Sequence, residues 1–473
     1  MKCLRWLSGV VAEHPLQLRA RHKSGAGTVE DLRLSLRART PDFALPGPSP
    51  TTSLQLTEVK VMKRIRDRVA GLDVHRDTVV ACCRVVAPNG EAELTKQSFV
   101  TTRKGLGELA VFLADAAVET VAMEATGVYW KSPYYALEGM FPELWLCNAH
   151  HVKNVPGRKS DLSDAEWLAD VAAHGMVRPS FVPPPPIREL RELTRYRKTQ
   201  VDARAREIQR LEKVLQDAGI KLTSVASRVW SASSREIIEA LIVGNRDPAV
   251  LAQMAKGRMR AKIADLEEAL AGHFGSHHAI VCRQIIDHID FLDHAIAALT
   301  EEVTTRLVPF EAAVAIVTSI PGMSRTTAEV IVAETGADMK RFATPAQLCA
   351  WAGVAPASYE SAGKRRPAGT RQGAQWLRRA LIESAHAAAH TKGTYLSVQY
   401  ARIARRRGAN KAAVAVANSM LFTVWHLLST GAFYIDPGAD YFDRRHDPAI
   451  EAKRLARRIE ALGFDVSLIE KAA

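Results

Sequence analysis

The sequence predicts an α/β domain with a mixed sheet, then a long helical segment, then a basic and mainly helical domain. Three observations carry this. Runs rich in β-branched residues alternate with helix-like segments after Met62. Past Pro186 apolar residues recur at seven-residue spacing. Positive charge gathers late in the chain, where Glu360 to Lys411 holds twelve Lys or Arg against two acids.

Residues 1–61 show no sustained periodicity and end in the turn-rich stretch TPDFALPGPSPTTS, so a disordered, dispensable extension is expected there. Residues 62–182 form the α/β domain. VMKRIRDRVAGLDVHRDTVVACCRVV reads as one strand, Pro88 to Gly90 as a turn, and the following run as a second strand. The helix LGELAVFLADA, the strand TVAMEA, the helix SPYYALEGM, the strand ELWLCNA and the helix DLSDAEWLADVAAHG follow. Pro183 to Pro186 read as a rigid spacer opening a helical region, 183–308. There Ile187, Thr194, Val201, Ile208, Leu215 and Leu222 form one heptad series, and Ile285, Ile289, Leu292, Ile296, Leu299 and Val303 a better one. The first series lacks good partner positions, because Arg197 and Arg204 fall on them. An intramolecular helical hairpin and an intermolecular coiled coil both fit. Residues 309–435 are the basic domain, and 436–473 a charged helical tail.

A chain of 473 residues is too long for one core, and its 47% apolar and 24% charged residues exclude a mostly disordered or collagen-like protein. The net charge of +13 points to an anionic partner, with nucleic acid ahead of a membrane surface. Six scattered cysteines without C-x-x-C or zinc-ligand spacing suit a reducing cytoplasm. The N-terminus makes a poor secretory signal. Ala412 to Ile435 lacks charged residues, yet Asn418, Ser419, Thr423 and His426 interrupt it, so a buried helix is expected rather than a membrane span.

Candidate chemistry begins with carboxylates. Asp73 lies inside the apolar run AGLDVHRDTVV, where an uncompensated acid is costly to bury. Glu124 ends the strand TVAMEA, and Asp161 and Asp164 stand three apart where a helix begins. Converging at one end of a sheet, these four can hold two magnesium ions, since hard oxygen ligands suit Mg2+. Helix capping and the macrodipole explain Asp161 and Asp164 equally well, but not Asp73. Asp77, Glu166 and Asp170 read as surface or helix-face charges.

The ordered set GLDVHRD, MEATGVYW and GRKSDLSDAEWLA resembles the DEDD-type insertion-sequence transposases, the family numbered one hundred and ten. The likeness runs from about residue 70 to 430 and implies a RuvC-like domain of ribonuclease H fold, with Asp73, Glu124, Asp161 and Asp164 as the family's four acids.

In the basic domain, IVTSIPGMSRTTAEVIVAETG reads as helix, Pro-Gly turn, helix. It resembles a helix-hairpin-helix, in which Gly322 and Ser324 would face a phosphate; an ordinary helical hairpin fits as well. Next comes Ser361-Ala362-Gly363 before Lys364, Arg365 and Arg366, with Arg371, Arg378 and Arg379 further on. On composition alone a loop serine is weak evidence for a nucleophile. The family's transposase domain has a serine before a small-Gly-basic run, which implies that role for Ser361; Ser358 is the rival. Many members carry two serines and two glycines here, where this chain has Glu360-Ser361-Ala362-Gly363. Arg405, Arg406 and Arg407 complete the nucleic-acid-binding set.

The expected function is therefore that of a transposase and site-specific recombinase. The resemblance implies a phosphoserine intermediate with magnesium-bound carboxylates beside it. It further implies donor and target DNA as partners, a structured guide RNA from the element's noncoding end, and a homo-oligomer, dimer or tetramer, in which the serine of one protomer completes the metal site of another. The alternatives are a hydrolytic, structure-specific endonuclease of the resolvase kind and a noncatalytic nucleic-acid-binding protein.

Overall fold

The β-branched runs after Ile65 pair into one mixed sheet, because each offers alternate side chains to two apolar layers. The computed structural model describes residues 65–469 except 126, 154, 156–162, 367–368 and 445–447. All of these but Ile65 belong to the unit Arg66–Ala473. Strands β1 (Arg68–Val74), β2 (Thr78–Val86) and β3 (Ala92–Val100) form an antiparallel meander. Helix α1 (Arg103–Asp115) leads to β4 (Thr120–Glu124), and α2 (Lys131–Leu137) to β5 (Glu143–Cys147), both strands parallel to β1. The sheet order is β3-β2-β1-β4-β5, compatible with a ribonuclease H-like domain. The expected single opening strand is two. The chain reverses at His75 to Asp77, where the His75 amide donates to the Thr78 carbonyl at 2.9 Å.

After α3 (Ala149–Lys153), α4 (Asp164–Ala173) covers one face of the sheet through Trp167, Leu168 and Val171. Leu106, Leu109 and Leu113 of α1 and Leu137 of α2 cover the other.

Pro185 and Pro186 do not keep the chain out of a helix. They open α5 (Pro185–Asp217), because the first turn needs no amide donors from them. Helix α5 runs out and α10 (Ser276–Leu307) returns antiparallel beside it. Glu189 meets Arg306, Arg204 meets Asp293, and Asp217 meets His278 at 3.2 Å. The two series thus pair within one chain, although Val201 stays 39% exposed. Between them α6 (Leu222–Val225), α7 (Ala232–Val243), α8 (Pro248–Gln253) and α9 (Ile263–Leu270) wrap a separate core around Leu211, Leu215, Ile237, Ile286 and Ile289.

The remainder is mostly helical: α11 (Glu311–Thr318), α12 (Arg325–Thr335), α13 (Pro345–Trp351), a hairpin of β6 (Glu360–Ser361) and β7 (Lys364–Arg365), α14 (Gln375–His390), α15 (Tyr395–Arg407), α16 (Ala409–Thr430), α17 (Tyr441–Arg444) and α18 (Pro448–Glu460). Helix α16 is long and apolar enough to cross a membrane, but Ala413, Val416, Met420 and Val424 join the core formed by α11 to α14. Leu190, Val303 and Leu307, at the root of the α5–α10 pair, join it too. Two buried glutamates of α12 fasten that root. Glu329 accepts from Arg197 at 2.5 Å, and Glu334 takes a two-pronged bond from Arg195 at 2.7 and 2.8 Å.

Candidate active site

Side-chain alternation puts Val69, Gly71 and Asp73 of β1 on the face covered by α4, and Ala122 and Glu124 of β4 on the same face. Asp73 and Glu124 each lie one residue beyond the parallel pair Leu72 and Met123, so they stand side by side where the two strands end. Helix α4 runs antiparallel to β1. The Arg66 amide donates to the carbonyl of Ala173 at the helix's last turn, whereas Gly71 abuts Ala165 in its first. Asp164, the first helical residue, is thereby carried to the Asp73 end of the sheet.

That approach depends on Gly71. A Cβ there would lie 2.0 Å from the Ala165 carbonyl oxygen and 2.6 Å from the Ala169 nitrogen. Ser163 caps α4 by accepting from the Glu166 amide. Glu166 pairs with Lys96 of β3, and Asp170 lies 3.4 Å from Arg84 of β2. These two acids tie α4 across the sheet, and Asp77 faces Arg76 in solvent. All three are surface or helix-face charges, as their positions in the sequence suggested.

Asp73 is a quarter exposed, and its Oδ2 lies 3.1 Å from His75 Nε2. Burial and the nearby charge of Glu124 push the Cys147 thiol up to about 12. Among the described residues no group of three His, Cys, Asp or Glu is close enough to form a preformed metal cage. Asp161 lies outside the described residues. The donor set nevertheless suits a hard divalent ion: three carboxylates reach the same end of the sheet, Asp164 exposed and Asp73 and Glu124 half-buried.

Ser361 belongs to a different part of the molecule. Its backbone pairs with Lys364 across the turn Ala362-Gly363, with φ of +49° and +72°. Two positive φ values make this a type I′ turn, the two-residue connection whose twist matches a hairpin. The ladder continues through the Arg366 amide bonded to the Tyr359 carbonyl at 2.9 Å and the bridge Pro356–Thr370. At its root Gly353 and Gly373 touch: a Cβ on Gly373 would lie 2.4 Å from the Gly353 nitrogen. Ser358, Tyr359 and Glu360 are exposed. The sequence suggested only a small, flexible neighbourhood, because Ala-Gly lacks the Asn-Gly signature of this turn.

Lys364, Arg366, Arg371, Arg405, Arg406 and Arg407 are exposed, and among the described residues none of them meets a carboxylate. Arg378 is half-buried, and Arg379 is taken up by Asp202 at 3.0 Å. In the turn between α11 and α12, Gly322 has φ +86° and abuts the backbone of Ala388, so its glycine is required by packing on α14. Ser324 is exposed and caps α12, accepting from the Thr327 amide at 3.2 Å.

The sequence matches two family models. A DEDD transposase model of the IS110 type spans residues 70–220, and a model of transposases of the IS116/IS110/IS902 family spans 314–401. The first covers all four acids and the second covers Ser361; the helices α6 to α9 lie between them. The transposase for insertion sequence element IS1111A of Coxiella burnetii is 27% identical over 379 residues, covering 78% of this chain and 91% of that protein. A probable family 20 transposase of Pseudomonas aeruginosa is 26% identical over 321 residues, covering 66% and 85%. With the carboxylates at the end of its sheet and its serine hairpin each inside a matched region, the chain belongs to the IS110-type DEDD transposases, enzymes that cleave and rejoin DNA.

Proposed function

We propose that this chain moves an insertion sequence by serine-based strand exchange. Ser361 Oγ loses its proton to solvent and attacks the scissile phosphorus. A phosphoserine ester forms, the bond to one bridging oxygen breaks, and that oxygen leaves with a proton. The ester conserves the bond energy, so a free DNA end restores the diester and the serine without ATP. Asp73, Glu124, Asp161 and Asp164 would hold magnesium, which supplies neutralisation of phosphate charge beside the hydroxyl. The observation that carries this reading is the pinned type I′ hairpin, which sets Ser361 three and five residues from the exposed cations Lys364 and Arg366.

The finer points follow the same reading. The domain is RuvC-like, and the exposed N-terminus of α12 serves as a helix-hairpin-helix phosphate contact. The protein works as a homo-oligomer in which the hairpin of one protomer serves the carboxylates of another. A structured RNA chooses donor and target sites. Free cations on the hairpin, α15 and α16 suit the phosphates of both polymers.

The test uses the full chain with magnesium, donor and target DNA and RNA transcribed from the element's noncoding end. Ser361→Ala is expected to bind DNA and magnesium yet give no protein-DNA adduct and no exchange. Asp161→Asn keeps the serine but loses exchange through a weakened metal site. A nucleotide found by mass spectrometry on Ser358, or full exchange by Ser361→Ala, overturns the assignment. Cleavage without an adduct, surviving Ser361→Ala, would instead mark a hydrolytic resolvase.

A further inference from the structure

A groove of about 560 Å³ runs beside the root of the serine hairpin. One wall is the hairpin itself, through Val354, Pro356 and Thr370; the other is α15 and α16, through Gln399, Val414 and Asn418. Its floor is aliphatic, and among the described residues no aromatic side chain lines it and three amides (Gln399, Asn410 and Asn418) stand around it.

Gln399 is the informative one. Its Nε2 donates to Ser419 Oγ at 2.9 Å, and that hydroxyl donates onward to the Ala415 carbonyl at 3.2 Å. This chain fixes the amide's orientation, since the hydroxyl is left with only lone pairs to offer. The other end, Oε1, is buried and accepts no hydrogen bond. A buried acceptor without a partner is costly; Oε1 lies just beneath the groove surface, and a ligand that parts the aliphatic lining to bring it an N–H donor relieves that cost. The Asn418 side chain, on the same wall, is partly open and can supply both a donor and an acceptor.

The rim has a different character. Lys411 closes the groove at the first turn of α16, which begins at Gly408 without a side-chain cap. Arg405, Arg406 and Arg407 end α15 just before it. An aliphatic slot with paired amides and an orphan acceptor, opening onto free cations, matches a nucleotide: the base inside, its phosphate at the rim.

We infer that this groove takes one unstacked base of the DNA strand held by the serine hairpin, and selects bases that carry an exocyclic amine. The inference rests on the reading of Ser361 as the group that engages DNA. Five residues of extended chain separate Pro356 from Ser361, about 16 Å. The captured base therefore lies about five stacked nucleotides from the scissile phosphate, fewer where the strand is drawn out. Asn and Gln are the side chains that match the amine and ring nitrogen of adenine with two parallel bonds, and an extruded base is read in this way by other DNA enzymes.

The test measures binding of the full chain, in EDTA, to single-stranded 15-mers of thymidine carrying one central change. That change is deoxyadenosine, its analogue purine deoxyriboside without the amine, or an abasic site. Anisotropy is expected to show the adenine strand binding about tenfold more tightly than the purine strand, the effect of satisfying one buried acceptor. Gln399→Leu removes that preference. Ala415→Phe, which fills the groove from a half-buried position on α16, brings the adenine strand to the level of the abasic one. Equal binding of all three strands by the native chain overturns the inference, as does a preference that survives Ala415→Phe. The same preference seen only with ribonucleotide strands gives the groove to RNA and overturns its assignment to DNA. Failure to bind any strand overturns the DNA reading of Ser361 as well, so the two failures are told apart.

Discussion

Gly71 shows how a single missing carbon builds a site. Its Cα lets the first turn of α4 rest on β1, with backbone atoms where a methyl group would stand. Gly71→Ala is expected to cost about 1–3 kcal/mol through overpacking. Because the strain is relieved by lifting α4, the substitution should reduce metal-dependent cleavage further than the loss of folded protein explains. Thermal unfolding and cleavage by the soluble fraction measure the two separately; full cleavage per folded molecule would sink the argument. The cysteines give a second residue-scale prediction. Burial raises Cys82, Cys282 and Cys349 to about 11 and Cys83 to about 12, with Cys147 likewise held protonated. In a Cys3→Ser variant at about pH 8, where a free thiol is partly ionised, none of these should react with a disulfide reagent until the protein unfolds. One fast equivalent counted by intact mass would contradict that. Asp73 was legible in the sequence because an acid inside an apolar strand needs a reason. Gly71, two residues before it, was not, since nothing local says which helix will arrive.

At the scale of elements, arginines that spoil a heptad stripe prove to be its fastenings. Arg197 and Arg204 interrupt the apolar series of α5, yet Arg197 is 5% exposed against Glu329, and Arg204 meets Asp293 on α10. Sequence periodicity marks such positions as defects because the partner is 132 residues away and on another helix. Arg197→Met alone leaves Glu329 buried without its closest partner and is expected to cost about 3–5 kcal/mol; adding Glu329→Leu should recover most of it. Urea unfolding of the single and double variants decides, and a double variant no better than the single one refutes the account. Within the outer helical core, Arg235 grips Asp290 with two bonds of 2.6 Å and holds its carboxyl below the usual range. A folded-state value below the unfolded one stabilises at neutral pH, and this contribution is lost as pH falls through the folded value. Asp290→Asn should therefore melt lower than the native chain near pH 7, and the gap should close below about pH 4. A gap independent of pH would point to packing instead. The reversal at His75 to Asp77 was the element boundary the sequence concealed: its three polar residues sit inside a run otherwise apolar enough to pass for one long strand.

For the whole molecule, the separation of cores is the governing fact. Leu190, Val303 and Leu307 belong to the core around α12, while Leu211 to Ile289 form their own. The heptad series announced the two long helices, but α6 to α9 are short and without a sustained period, so the outer core was invisible until the helices were seen to diverge around it. Joining Arg204 to Asp293 by a short turn should remove that core and leave the rest folded, with a melting temperature within a few degrees of the full chain. Loss of the cooperative transition would show that the cores are one. The fastening at α12 also has a consequence in time. Arg197 leaves the ribosome 132 residues before Glu329. At typical synthesis rates that is on the order of ten seconds, during which a guanidinium destined for burial must wait in water. The outer core, whose contacts are all made of chain already emerged, can close during that wait. The nascent protein would thus acquire its far end first and its anchorage last, and a pause in translation before Glu329 would hold it as a folded outer core on an unmoored stalk.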